Sequence, residues 1–130
     1  MGMPAAKEGD HITAVDTHII LVPTPVGQIP TPLPHPFDGI INNNLSSDVK
    51  IMGMFAATVG SMADNLPPHI PEGGTFQDPP RNKGEIIAGS PTVMINGKPA
   101  ARNGDTALTC NDPVDLPIGT IIAVGTVMIG

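Results

Sequence analysis

At 130 residues and a formal net charge of −6, with six basic against twelve acidic side chains and no basic cluster, the chain lacks the electrostatic footprint that phosphate-backbone binding needs, which excludes nucleic acid as a partner. Sixteen Pro and fifteen Gly argue against a helical protein and a conventional enzyme scaffold. With three Phe and no Trp or Tyr, the core must come from Ile, Val, Leu, Met and Ala, so a further staple is expected. A single Cys rules out an internal disulfide framework, and the longest mostly apolar stretch, residues 51–63, falls short of the roughly 20 residues of a membrane span.

In chain order, the polar N-terminus carries no signal-peptide pattern, so synthesis in the cytoplasm is expected. It runs straight into the phrase GMPAAKEGD (2–10), the first of three imperfect copies. Strand-like Ile19 to Val22 follows, then a stretch from Pro23 to Pro36 whose six prolines read as an extended, polyproline-like wrap over the surface. DGIINNNLSSDVKIMG (38–53) leads into the second copy, GMFAATVGS (53–61). Read locally, residues 47–64 would be a helix capped by Asp48, but alignment with the other copies makes them strands and phrase. GEIIAGSPTVMING (84–97), with turns at Gly89 to Thr92 and at Asn96-Gly97, leads into the third copy, GKPAARNGD (97–105), and GTIIAVGTVMIG (119–130) closes the chain.

Each copy keeps Gly at its first position, Ala at its fourth and fifth, and Gly at its eighth. A unit that recurs in this way packs against its sister copies because it cannot bury its apolar face alone. The expectation is one all-β domain over residues 1–130: a small cone of short β-hairpins with three pseudo-repeats and approximate threefold symmetry. No appended catalytic or toxic domain is expected.

Candidate chemistry sits where the repeats meet. His18 lies eight residues after Asp10, His69 eight after Ser61, and Cys110 five after Asp105, so each phrase is followed by one soft or borderline metal ligand. His35, at the end of the proline-rich stretch, is a fourth candidate. Three imidazoles and a thiolate suit tetrahedral Zn²⁺, which takes N and S donors and brings no redox chemistry. Against this stands the ordinary habit of scattered His as surface residues and of a lone Cys as a small buried hydrophobe. His11 has no counterpart in the other repeats and is assigned to the surface, with replacement of His18 as ligand its alternative.

GSPTVMINGKPAARNGD (89–105) resembles the signature of the PAAR-repeat proteins, whose name is the Pro99-Ala100-Ala101-Arg102 stretch. Asp16-Thr17-His18, Thr24-Pro25, and Pro34-His35-Pro36 with Gly39-Ile40 are similar to the first metal-binding half of many members. The resemblance implies a cone of β-hairpins with zinc near its point, bound through His18, His35, His69 and Cys110. It also implies a tip that caps and sharpens a trimeric VgrG-like spike, one tip per trimer. The spike would belong to a contractile injection machine: a type VI secretion system, a phage tail or an extracellular tail-like particle. On that reading the protein helps pierce the target envelope, is delivered outside the cell, has no catalytic residues, and carries any effector noncovalently. The second repeat departs from the pattern: Phe55 replaces Pro, Thr58 replaces Arg, Ser61 replaces Asp, and an Asn-rich loop stands where a tight turn is usual. The rival readings are a free-standing zinc adaptor that recruits effectors and a zinc hydrolase. A hydrolase would keep an open metal position beside an acid, whereas Asp10 and Asp105 read as turn residues.

Overall fold

The repeated phrase folds the same way three times. Its second Gly takes a left-handed conformation in every copy, with φ of 92° at Gly9, 96° at Gly60 and 89° at Gly104, a region that glycine enters without penalty. The phrase then closes on itself: Asp10 Oδ2 accepts from the Lys7 amide at 3.0 Å, Ser61 Oγ from the Thr58 amide at 3.0 Å, and Asp105 Oδ2 from the Arg102 amide at 2.9 Å. These are the local side-chain turns for which Asp and Ser are suited. The Ser61 departure in the second copy preserves the contact with a hydroxyl.

The Ala pairs explain the symmetry. The Ala6 amide donates to the Ala101 carbonyl at 2.9 Å, Ala101 to Ala57 at 3.1 Å, and Ala57 back to Ala6 at 3.1 Å, so the three copies are tied in a closed ring. All three alanines are fully buried. Three backbones approach this closely only where side chains are no larger than a methyl group.

The computed structural model describes residues 2–130, and these contain strands and turns but no helix. In chain order the strands are β1 (Met3–Pro4), β2 (His11–Thr24), β3 (Gly27–Asn43), β4 (Lys50–Ile51), β5 (Met54–Phe55), β6 (Met62–Asn65) and β7 (Thr75–Phe76). They continue as β8 (Lys83–Ile86), β9 (Met94–Ile95), β10 (Lys98–Pro99), β11 (Thr106–Thr109), β12 (Leu116–Ile122) and β13 (Met128–Ile129). On one side of the alanine ring lie three two-stranded ribbons: the hairpins β4–β5 and β9–β10, and the pairing of the first and last strands, β1 and β13. Their inward residues Ile51, Ile95 and Ile129 pack with Ala5, Ala56 and Ala100 into one apolar cluster. The Asn96-Gly97 turn is left-handed at both positions, with φ of 53° and 77°, as a two-residue hairpin requires.

On the other side, β2, β3, β6, β8, β11 and β12 pair antiparallel in that order, and β12 returns to pair with β2, closing a six-stranded barrel without a free edge. Ile41, Ile86 and Ile121 occupy equivalent inward positions, with Ile12, Ala63 and Ala107 in the next layer. Phe37 is the largest fully buried side chain. A Cβ at Gly39 would stand 2.6 Å from its ring, so that glycine makes room for it.

The proline-rich stretch differs from the extended wrap expected of it. Residues 23–36 form the outer part of the β2–β3 hairpin, which keeps unbroken register from His11↔Ile40 to Thr24↔Gly27 and makes these two strands long rather than short. Pro30, Pro32, Pro34 and Pro36 alternate along β3, where its only neighbour is β2. Alternate residues of such an edge strand turn their amides away from the ladder, so proline there sacrifices no pairing. The helix weighed for residues 47–64 does not form, because β4–β5 and β6 occupy them.

Replacing Ala57 by Leu inserts three carbons where the ring has no space. Unfolding in denaturant should show a loss of about 1–3 kcal/mol or more, while Leu in place of the exposed Lys98 should cost far less.

Candidate metal centre

The chemistry collects just beyond the end of the closed barrel. Asp16 and His18 lie two residues apart on β2 and therefore point to the same face; they are 0% and 1% exposed. His35 lies directly opposite Asp16 on β3 and is also buried. Cys110 follows the last residue of β11, and His69 lies in the loop that leaves β6. Strands that pair around a barrel thus deliver donors from distant parts of the chain to one end.

Two loops are pinned to hold the last two donors. The Thr17 amide donates to Asn111 Oδ1 at 2.7 Å, the Ile19 amide to Asp112 Oδ2 at 2.8 Å, and the Asp112 amide to the Thr17 carbonyl at 2.9 Å, which fixes Cys110 against β2. The His69 amide donates to Asn82 Oδ1 at 2.9 Å, and the same oxygen receives Asn65 Nδ2 at 3.0 Å.

Donor atoms of Asp16, His18, His69 and Cys110 all lie within 4.8 Å of one another, and all four residues are buried or nearly so. Cys110 Sγ stands 3.6 Å from His18 Nε2 and 3.5 Å from Asp16 Oδ2, and His69 Nε2 stands 2.9 Å from that same oxygen. His35 is outside this compact set, but its ring completes a near-equilateral triangle. Ring centroids are 5.4 Å apart for His18 and His35, 4.9 Å for His18 and His69, and 5.4 Å for His35 and His69. Three imidazoles around one tetrahedral ion at ~2.0 Å from each nitrogen would place their rings about 5 Å apart. His35 Nδ1 is engaged by the Leu33 carbonyl at 2.9 Å, which leaves Nε2 as its free nitrogen. All four residues singled out in the sequence therefore meet at one end of the barrel, while exposed His11 pairs with Asp38 at 2.6 Å and is not among them.

Asp16 was missed by sequence reasoning. Its signal was the i, i+2 spacing to His18 on a strand, which places a carboxylate and an imidazole on one face.

The electrostatics suit a cation better than catalysis. Burial lowers the pKa of His18, with Asp112 opposing, so the ring is neutral and its lone pair is available. Its Nδ1 is buried without a hydrogen-bond partner, although Asp112 Oδ1 stands 3.5 Å away. A carboxylate behind a ligating imidazole is the usual second support of a metal site. Burial, and then the charge of Asp16, pushes the Cys110 thiol up to about 11. That is the opposite of an activated nucleophile; a thiol in such a place becomes a thiolate when a metal ion replaces its proton. The mixed N, S and O donor set fits a transition metal of the zinc type.

Residues 76–130, which include the third copy of the phrase and Cys110, match the family model of the PAAR motif. None of the curated proteins is a significant match.

Since the folded-state value for Cys110 is raised from 9.0 to about 11, the stability it contributes is fully present below pH ~9 and is lost as pH climbs towards 11. Thermal unfolding of chelator-treated protein across that window should show a falling Tm. The slope should flatten in a Cys110→Ala variant and in protein supplied with zinc.

Proposed function

We propose that this chain, a PAAR-motif protein over residues 76–130, acts along its whole length as a zinc-pinned tip on a trimeric VgrG-like spike of a contractile injection machine. A PAAR motif implies a structural, spike-tip-associated role. The observation that carries the finer reading is the convergence of His18, His35, His69 and Cys110 at one end of a threefold body. Those four residues would hold the ion, which would contribute cross-linking and no reaction. The Leu33 carbonyl behind His35 orients that ring, and Asp112 Oδ1 stands 3.5 Å behind His18 without a hydrogen bond.

The opposite end supports the spike partner. The three small two-stranded ribbons expose Met52 and Met54 on the first, Met94 on the second, and Met3 and Met128 on the third, each at least 39% accessible. Flexible thioether side chains adapt well to an apolar partner surface. Three similar patches around one axis fit a partner with a threefold axis, at one tip per trimer. No helix among the described residues is long and apolar enough to cross a membrane, so a role in piercing would be mechanical, with force passed through a rigid point. Effectors would attach noncovalently.

Elemental analysis of protein purified without added metal should find one zinc per chain. Ala at His18, His69 or Cys110 should abolish stoichiometric binding, Ala at His35 should weaken it, and Ala at His11 should leave it intact. In a pull-down with the spike protein, the tip should co-migrate at one copy per three spike chains. Absence of stoichiometric zinc would remove the metal from this reading, and failure to co-migrate would remove the spike.

A further inference from the structure

The donors at the end of the barrel are buried, so an ion needs a way in, and two cavities end on them. The larger, about 460 Å³, touches His35 and His69 and is walled mainly by Leu33, Leu66, Ile70 and four prolines. Its carboxylates stand well outside the donors: Glu72 is exposed, and Asp38, with a side chain 57% exposed, is engaged by His11. The smaller, about 170 Å³, lies between residues 78–81 and 110–115 and touches His18 and Cys110. A hydrated cation that loses water against an apolar wall finds no oxygen to replace it, which is costly.

In the smaller cavity carboxylates lead inward. Asp78 is exposed and Asp115 is partly buried, whereas the Asp112 side chain is nearly buried and places Oδ1 3.5 Å from His18 Nδ1. Among the described residues that nitrogen is the one buried side-chain polar atom without a hydrogen-bond partner, the kind of atom at which a water or an ion is expected. Through its other nitrogen, Nε2, His18 faces Cys110 Sγ at 3.6 Å. The one arginine or lysine in the cavity wall, Arg81, is ion-paired with Asp115.

Resting on the metal reading above, we infer that this smaller cavity is the route by which a divalent cation enters. Asp78 collects the ion at the mouth, Asp112 draws it inward to His18 and Cys110, and Asp115 holds the Arg81 guanidinium so that its charge does not repel the ion. Carboxylates in a cleft with low-dielectric walls concentrate counter-ions and raise association rates by about 10–10³-fold. None of the three is among the four ligands, so they govern how fast the ion arrives and leave its coordination to the histidines and the cysteine.

The test is stopped-flow zinc binding and release by the full, chelator-stripped chain, followed with a chromogenic zinc indicator because the protein has no Trp or Tyr. Val114 and Ile70 are each 62% exposed, one in the wall of each cavity. Val114→Trp should slow association and release severalfold by one common factor, leaving affinity unchanged as an obstructed path requires, and Ile70→Trp should alter neither rate. Asp115→Asn, which frees the Arg81 charge, should slow association by about 10-fold or more at low salt, and Arg81→Gln should speed it. Slowing by Ile70→Trp and not by Val114→Trp would overturn the route, as would loss of affinity in Val114→Trp through faster release alone, which signals damage to the site. Should Val114→Trp not fold, the two charge variants decide: association rates that are equal in both and insensitive to salt overturn the proposal. Unaltered protein that binds no zinc would overturn the metal reading itself, an outcome distinct from zinc that binds by another path.

Discussion

Three backbone hydrogen bonds among Ala6, Ala57 and Ala101 govern the architecture, because they require three chain segments to meet at one axis. Only alanine or glycine permits that approach, and glycine would give up conformational restraint that alanine keeps. Around the ring the same logic repeats outward: the Gly9, Gly60 and Gly104 amides donate to the Ile41, Ile86 and Ile121 carbonyls at 2.8–2.9 Å, joining each phrase to the barrel strand beside it. The barrel and the base hairpins are consequences of one local turn used three times, each turn being half of a contact that only its sister copies complete.

The cost of this arrangement is a poor core. Of the twelve residues in the larger apolar cluster, six are alanines and one is Cys110, leaving four isoleucines and Phe37 to bury substantial area. Beyond Phe37 the interior changes character, with Asp16, His18, Thr109, His35 and Asn111 all buried. Burying that many polar groups is unfavourable unless each is satisfied, yet His18 Nδ1 has no hydrogen-bond partner. A metal ion held by Nε2 of that ring and the neighbouring donors would change the balance, since structural zinc contributes on the order of 10–16 kcal/mol in small domains. Aliphatic packing cannot offer as much in a space this narrow.

Much of this was legible in the sequence because the repeat is a long-range signal in local form. Matching Gly and Ala positions located the phrase, and the residues that followed it pointed to His18, His69 and Cys110 before any contact was known. The helix weighed for residues 47–64 was set aside on alignment alone, and β4–β5 stands there. Two features escaped. The prolines of β3 read as polyproline because an edge strand that pairs on one side only has no signature distinct from an extended wrap; pairing to β2 is decided by a partner lying up to twenty-nine positions away, as in His11↔Ile40. Asp16 escaped because it belongs to no repeat position. A carboxylate is ordinarily a surface residue, and only the end of β11 with the loops after β11 and β6, through Thr109, Cys110, Asn111 and His69, covers it.

The two ends of the molecule obey the symmetry differently, and the difference bears on how each works. At the base, the three isoleucines and three alanines come one pair from each repeat, so the surface above them is threefold to a good approximation. At the opposite end the donors are shared unequally: β2 gives Asp16 and His18, β3 gives His35, and the second and third repeats give one each, in His69 and Cys110. A donor set divided in this way has no threefold axis, so the symmetry breaks where the donors gather. The long β2–β3 hairpin is where it breaks. Extending one repeat past the others brings donors from two paired strands together, and the shorter neighbours contribute only one donor apiece. A body assembled from near-identical parts can in this way keep a threefold face at one end and gather an asymmetric set of buried donors at the other.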